Sequence, residues 1–301
     1  MQAEDNHRRD VKTQCPLHEI GTAVSSHTNV LLALVSGNKG AGKDDRSNKY
    51  PERIISFMPT ITEELFLLGV GERLVGVSIY CQRPPEAQHK EKVGTVVEAN
   101  LETILKLRPD LIIVSTLINR KHQLKLHDLN IRVEVFQEPE DYDGICKNFI
   151  RLAHLVGQEA RAKELVNTAK REISVIKQRV KGLEKPNVFI QIGANPLFTA
   201  KGDTYFNDYI EFAGGINIAK DAEIGAYSVE EVINRNPDVI IIVTMGILED
   251  TERNRWLNYK TINAVKTKRI YVIDSYRVCS STPVSFVETV KDMAKILHNI
   301  E

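Results

Sequence analysis

Apolar runs of four or five residues alternate with amphipathic stretches along most of this chain, the pattern of strands and helices taken in turn. Ile54, Ile55 and Phe57 predict a buried strand, broken at Pro59, and residues 62–68 predict a helix that Gly69 ends. Residues 74–78 read as a strand, and Arg83 before Pro84 and Pro85 predicts an extended turn. A short helix capped by Asn100 and stopped by Pro109 precedes the run at 111–115, which suits a strand covered on both faces in a parallel sheet. Residues 121–129 predict another helix and 132–136 another strand.

From 143 to 181 the pattern is helical, with a turn at Gly157. The second helix of this stretch, 159–180, would be about 33 Å long at about 1.5 Å per residue, enough to join two halves as a rigid strut. Beyond Pro186 the alternation restarts, with strands at 187–192, 239–243 and 270–273 and helices at 205–212, 227–235 and 283–299. The fold class this predicts is α/β: two Rossmann-like lobes with mainly parallel sheets joined by one long helix. The expected division is a flexible N-terminal arm or degenerate signal region at 1–50, an α/β lobe at 51–142, a helical linker at 143–183 and a second α/β lobe at 184–301.

The two halves share a unit. LETILKLRPDLIIV at 101–114 aligns without a gap with VEEVINRNPDVIII at 229–242, so Glu102 matches Glu230, Pro109 matches Pro237 and Asp110 matches Asp238, each 128 positions on (238 − 110 = 128). Pro-Asp before an apolar strand is a common connector, but a register sustained over the whole unit argues for two lobes of similar topology. Both glutamates fall in the first turn of their helices, where the helix dipole stabilises a carboxylate by about 0.3–1 kcal/mol. Ser228 with Glu231 fits a reciprocal cap. Twin exposed carboxylates on paired lobes also suit docking points for basic side chains of a partner.

Composition narrows the classes. At 301 residues and 42% hydrophobic the chain can bury two cores. Its 40 basic and 40 acidic side chains balance, so neither a nucleic acid nor a membrane surface is an expected partner. Cys15, Cys81, Cys146 and Cys279 lie far apart with no Cys-x-x-Cys, which excludes a zinc cluster or dithiol centre of ordinary spacing. No apolar run approaches the roughly 20 residues of a membrane span. The patch from Val30 to Val35 is shorter than the core of a secretion signal, about 7–15 residues.

Several patterns fall short of chemistry. GNKGAGK at 37–43 resembles a nucleotide loop, but Asp44 follows where Ser or Thr should hold magnesium. His122 and His127 miss the spacing that puts two ligands on one helix face, and Cys15 with His18 has no second pair. No nucleophile motif occurs, so no catalytic residue and no metal site are expected.

Five motifs carry a resemblance: RIISFMPTITE (53–63), GVSIYCQRPPEA (76–87), NLETILKLRPDLII (100–113), VFIQIGANPLFT (188–199) and GGIN (214–217). On them the chain from about 53 to 298 resembles the substrate-binding proteins of ABC importers for cobalamin, haem and ferric siderophores, the helical-backbone family, and is most similar to the cobalamin-binding members. The resemblance implies a non-catalytic monomer outside the cytoplasm, periplasmic or membrane-anchored, with its ligand in a cleft between the lobes. It implies that Glu102 and Glu230 form salt bridges with arginines of the membrane permease, one lobe to each half. It also places Tyr80 and Phe198 among the aromatics that cover the ligand.

Cys81, next to Tyr80, is a candidate thiolate ligand or a packed core residue. Tyr227, Tyr276 and Arg277, expected on rim loops, are candidates for iron or for an anionic edge group. The chain has Val97 and Ile224 where the cobalamin-binding pattern has tryptophans. The ligand implied is therefore a corrinoid, with haem or an iron chelate as the alternative in the same family. An intracellular cofactor-handling enzyme or chaperone, or a module for a protein partner alone, are the alternatives of other classes.

Overall fold

A computed structural model describes residues 50–128, 131–223, 225–243 and 249–300. The expectations for 1–49 (the arm, Cys15, His18, the 30–35 patch and the glycine-rich 37–43) and for Ile224 lie outside the described residues, as does the side chain of His127.

The chain runs β1 (Ile54–Ser56), α1 (Pro59–Leu67), β2 (Leu74–Val77), β3 (Glu91–Lys92), α2 (Leu101–Leu107), β4 (Leu111–Ser115), α3 (Arg120–Asp128) and β5 (Arg132–Phe136). Then come α4 (Tyr142–Val156), α5 (Glu159–Arg179), β6 (Asn187–Ala194), β7 (Leu197–Thr199), α6 (Tyr205–Phe212), β8 (Ile216–Asn217), α7 (Val229–Arg235) and β9 (Val239–Val243). The last elements are α8 (Glu249–Leu257), α9 (Asn263–Lys266), β10 (Ile270–Ile273), α10 (Ser275–Cys279) and α11 (Pro283–His298).

Two sheets result. The first has the order β3-β2-β1-β4-β5 and is parallel throughout. The second has the order β10-β9-β6-β7, with β7 antiparallel to β6 and β8 parallel to the start of β6. Strands β4 and β9 are buried along their length, because helices cover both faces of a parallel sheet. Alternation sorts their side chains: Ile54 and Ile113 join one core, Ile55 and Ile112 the opposite one.

One apolar core runs through both lobes, from Ile54 and Val77 to Val188 and Ile241, by way of α4, α5 and α11. Helix α5, about 32 Å long for its 21 residues, buries Ala162, Val166, Ala169, Ile173 and Ile176. Steps of three and four put these on one stripe, packed against α4 and α11. Gly157 turns the chain between α4 and α5 at φ +75°, and a Cβ there would lie 2.5 Å from the ring of Tyr50, so both backbone and space require glycine.

The helix expected at 62–68 begins earlier, because Pro59 takes the first helical position, where its fixed φ suits the turn. The helix expected from Tyr227 begins at Val229, with Ser228 as its cap. The repeat holds in three dimensions: α2 and α7 end at Arg108 and Asn236, both left-handed at φ 46°.

Candidate functional site

In a parallel sheet all strands end at one edge, and ligands of open α/β folds bind beyond it. The loops leaving those edges in the two lobes meet. Tyr80 and Arg83 follow β2, and Tyr276 lies on α10, directly after β10. The Tyr276 hydroxyl donates to the Tyr80 carbonyl. Arg83 donates from Nη2 to the carbonyls of Tyr276 at 2.6 Å and Ser280 at 3.5 Å. Its guanidinium lies 5.3 Å from the centre of the Tyr276 ring and 3.3 Å from Glu63 of α1. Asp274 caps α10 by accepting from the Tyr276 amide at 2.8 Å, which fixes the direction of that tyrosine. Burial pushes the Glu63 carboxyl up; Arg83 opposes this and Glu288 adds to it.

Phe198 and Tyr227 share a second surface, on the C-terminal lobe. Phe198 pairs with Ala226 across an antiparallel bridge, and its side chain lies over Gly193 and Gly225, 3.2 Å from where a Cβ would stand on either. The Tyr227 ring is 5.9 Å from that of Phe189, which meets Trp256 at 5.7 Å. The Tyr227 hydroxyl is enclosed and has no hydrogen-bond partner among the described residues, and burial raises its pKa. Behind this surface Trp256 Nε1 donates to Gln191 Oε1 at 2.6 Å, and Gln191 Nε2 donates to Glu252 at 2.8 Å. This buried network ties α8 to β6.

Two expected ligand residues are engaged within their own lobe. Cys81 has no exposed surface. Its sulfur accepts from Thr62 Oγ1 at 3.1 Å and sits 3.2 Å from Ser78 Oγ. Burial pushes its thiol up, and it packs in the core of its lobe. Arg277 lies on helix α10, not on a loop, and pairs with Asp292 of α11 within its own lobe. Tyr80 and Tyr276 are brought together, Phe198 and Tyr227 flank one strand edge, and Arg277 turns to α11. Arg83 and Glu63 were missed. The available signal was that Arg83 is the sole charge between Gly76 and Pro85.

A small cavity of about 20 Å³ lies between the lobes, lined by Glu64 and Glu138 on one side and Tyr205, Cys279 and Ser281 on the other. It has room for about one water. Glu64 is 1% exposed and its Oε2 has no hydrogen-bond partner among the described residues. Burial raises its carboxyl well above the usual range, and neighbouring Glu63 adds to the effect.

Helices α2 and α7 turn back tightly into the strands that follow, so their first turns lie at the edge where those strands end. Glu102 is exposed and 2.7 Å from Lys106. Glu230 is exposed. Ser228 accepts from the Glu231 amide at 3.0 Å, but the Glu231 carboxylate takes Arg235 at 2.7 Å, so the expected reciprocal cap is only half formed.

Residues 54–277 match a family described as periplasmic binding protein. An uncharacterized ABC transporter substrate-binding lipoprotein of Bacillus subtilis is 30% identical, over 85% of this chain and 84% of its own length. A vitamin B12-binding protein of Yersinia pestis is 31% identical over 68% of this chain and 74% of its own. Among solved structures, a periplasmic haem-binding protein of Roseiflexus in apo form superposes with a TM-score of 0.73 at 25% identity, covering 82% of this chain and 98% of that one.

Proposed function

This chain belongs to the periplasmic binding protein family, whose members bind substrates for transporters and are not enzymes, and we propose that its own substrate is a corrinoid held between the two lobes. As a substrate-binding protein of an ABC importer it works outside the cytoplasm, with a membrane permease as partner. The observation that carries the corrinoid reading is the meeting of loops from the ends of both parallel sheets at Tyr80, Arg83 and Tyr276. That is where open α/β lobes hold ligands, and tyrosine rings suit the broad apolar faces of a macrocycle at small entropic cost. Phe198 and Tyr227 extend the aromatic surface on the C-terminal side. Glu102 and Glu230 are the proposed docking points for basic residues of the permease.

The test is titration of the purified protein with cyanocobalamin, cobinamide, haemin and a ferric siderophore, followed by calorimetry and by the visible spectrum of each ligand. Micromolar or tighter binding of a corrinoid is expected. Binding of haemin or the siderophore alone would replace the corrinoid by the other chelates of the family, and silence across the panel would overturn the reading.

A further inference from the structure

Arg83 is the one charged group between Gly76 and Pro85, on the loop after β2, and its side chain crosses to the opposite lobe. There it engages four things at once: the carbonyls of Tyr276 and Ser280, the face of the Tyr276 ring, and Glu63 of its own lobe. The Tyr276 hydroxyl reaches the other way, to the Tyr80 carbonyl. Each lobe therefore hooks the other through the same pair of loops.

We propose that Arg83 is the inter-lobe clasp of the cleft: by gripping the carbonyl and ring of Tyr276 it fixes how Tyr80 and Tyr276 face one another and sets how long a ligand stays bound. The retention half rests on the binding-protein reading above; the clasp half does not. A planar guanidinium suits the task because it can donate in its plane and stack on a ring at the same time, which an ammonium cannot. The Arg83 Nε is enclosed without an acceptor among the described residues. A buried donor left unmade opposes closure, so the clasp is held short of being locked, as a receptor that must release its ligand requires.

The experiment has a ligand-free arm and a ligand arm. Leu124 on α3 and Leu257 on α8, 51% and 42% exposed, are replaced by cysteine and spin-labelled in a Cys15→Ser background. Cys81, Cys146 and Cys279 are buried and should resist the label. The wild type should give one narrow inter-lobe distance, and Arg83→Ala should give a broad or longer one. Arg83→Lys, which keeps the charge and the Glu63 pair, should resemble Arg83→Ala. Melting temperatures recorded alongside identify any variant that has unfolded, and Tyr276→Phe, which removes only the reverse hook, should broaden the distance less. In the ligand arm, whichever panel compound binds the wild type should leave Arg83→Ala about tenfold faster, with an association rate little changed. An unchanged distance distribution in Arg83→Ala and Arg83→Lys overturns the clasp, and an unchanged off-rate overturns its role in retention. If the wild type binds no panel compound, the proposed function fails while the distance measurement still decides the clasp.

Discussion

The Asp110 carboxylate accepts from the amides of Glu52 and Arg53 at 2.7 and 3.0 Å, and the Asp238 carboxylate, 128 positions on (238 − 110 = 128), accepts from the amide of Asn187 at 2.9 Å. The backbone completes both arrangements: the Asp110 amide donates to the Arg53 carbonyl at 2.9 Å and the Asp238 amide to that of Asn187 at 2.8 Å. Each aspartate thus stitches the start of its own strand to the start of the central strand beside it. The Pro-Asp of the repeat is a connector that ties neighbouring strand starts together, and its two copies make matching bonds in both lobes.

Replacing these aspartates should cost unequal amounts. Asp238 is half-buried and also accepts from Asn263 Nδ2 at 3.2 Å, whereas Asp110 is exposed to water that can take over its partners. Asp238→Ala should lose about 2–3 kcal/mol and Asp110→Ala about 1 kcal/mol, read as shifts in the midpoint of urea unfolding at constant slope. Asp238→Asn, which keeps an acceptor, should recover part of the loss.

Glu64 should give stability a pH dependence of definite sign. Its folded pKa lies above the ordinary 4.5 because burial penalises the charge and Glu63 adds repulsion; the Cys146 thiol also lies within its field. The folded state therefore holds this proton where the unfolded chain has released it. Its stabilisation is full below about pH 4.5 and is lost as pH rises through the folded value. Glu63 acts in the same direction, while Asp143 and Glu211, lowered chiefly by hydrogen bonds from Lys170 and Lys220, act in the opposite one. The difference between wild type and Glu64→Gln isolates the single group. Relative to wild type, the variant should gain stability with rising pH above 4.5, by at most about 1.4 kcal/mol per pH unit. Parallel stability curves for the two proteins would contradict this.

Where the apolar pattern is long or repeated, sequence and structure agree. The runs at β4 and β9 and the stripe on α5 are set by local periodicity, so they were legible. Strands β3 and β8 have two residues each and β7 has three; at that length no period exists, and only tertiary pairing makes them strands. Helix α10 is one turn capped by Asp274, which a loop reading of Tyr276 and Arg277 could not separate from irregular chain. In the site, aromatic residues announced Tyr80 and Tyr276, but their contact depends on how the lobes sit. Residue type alone did not tell the clasping Arg83 from the internally paired Arg277. Nor did residue type tell that Cys81 would be fully buried beside a partly exposed Tyr80.

Trp256 is the chain's single tryptophan and is 1% exposed, so its fluorescence reports the packing of α8 on β6. Gln191→Leu removes the acceptor for the indole N–H and the donor to Glu252, leaving the indole N–H unmade and Glu252 with its Arg255 pair at 3.6 Å. The cost should be about 2–5 kcal/mol, with the emission shifted to the red in the native state as α8 loosens. An unshifted emission with unchanged stability would show that the network is replaceable by packing.

Glu102 and Glu230 should act as a pair in transport but not in ligand binding. Both side chains are exposed and take no part in the Tyr80–Tyr276 contact, so Glu102→Arg with Glu230→Arg should leave ligand affinity within about twofold while abolishing uptake, since facing like charges at an interface cost several kcal/mol. The two sites also differ. Glu102 is held by Lys106 at 2.7 Å with both side chains exposed, a pair worth about 0.3–0.5 kcal/mol, and the matching position of the second lobe is Asn234. Docking must first release Glu102, whereas Glu230 meets no such lysine. Lys106→Ala should therefore tighten binding to the permease about twofold, measured with the reconstituted permease in nanodiscs by surface plasmon resonance. The gain should vanish when Glu102 is also replaced by Gln. Tightening that persists without Glu102 would assign the effect to the general charge of the surface, and uptake surviving the double reversal would remove both glutamates from the docking site.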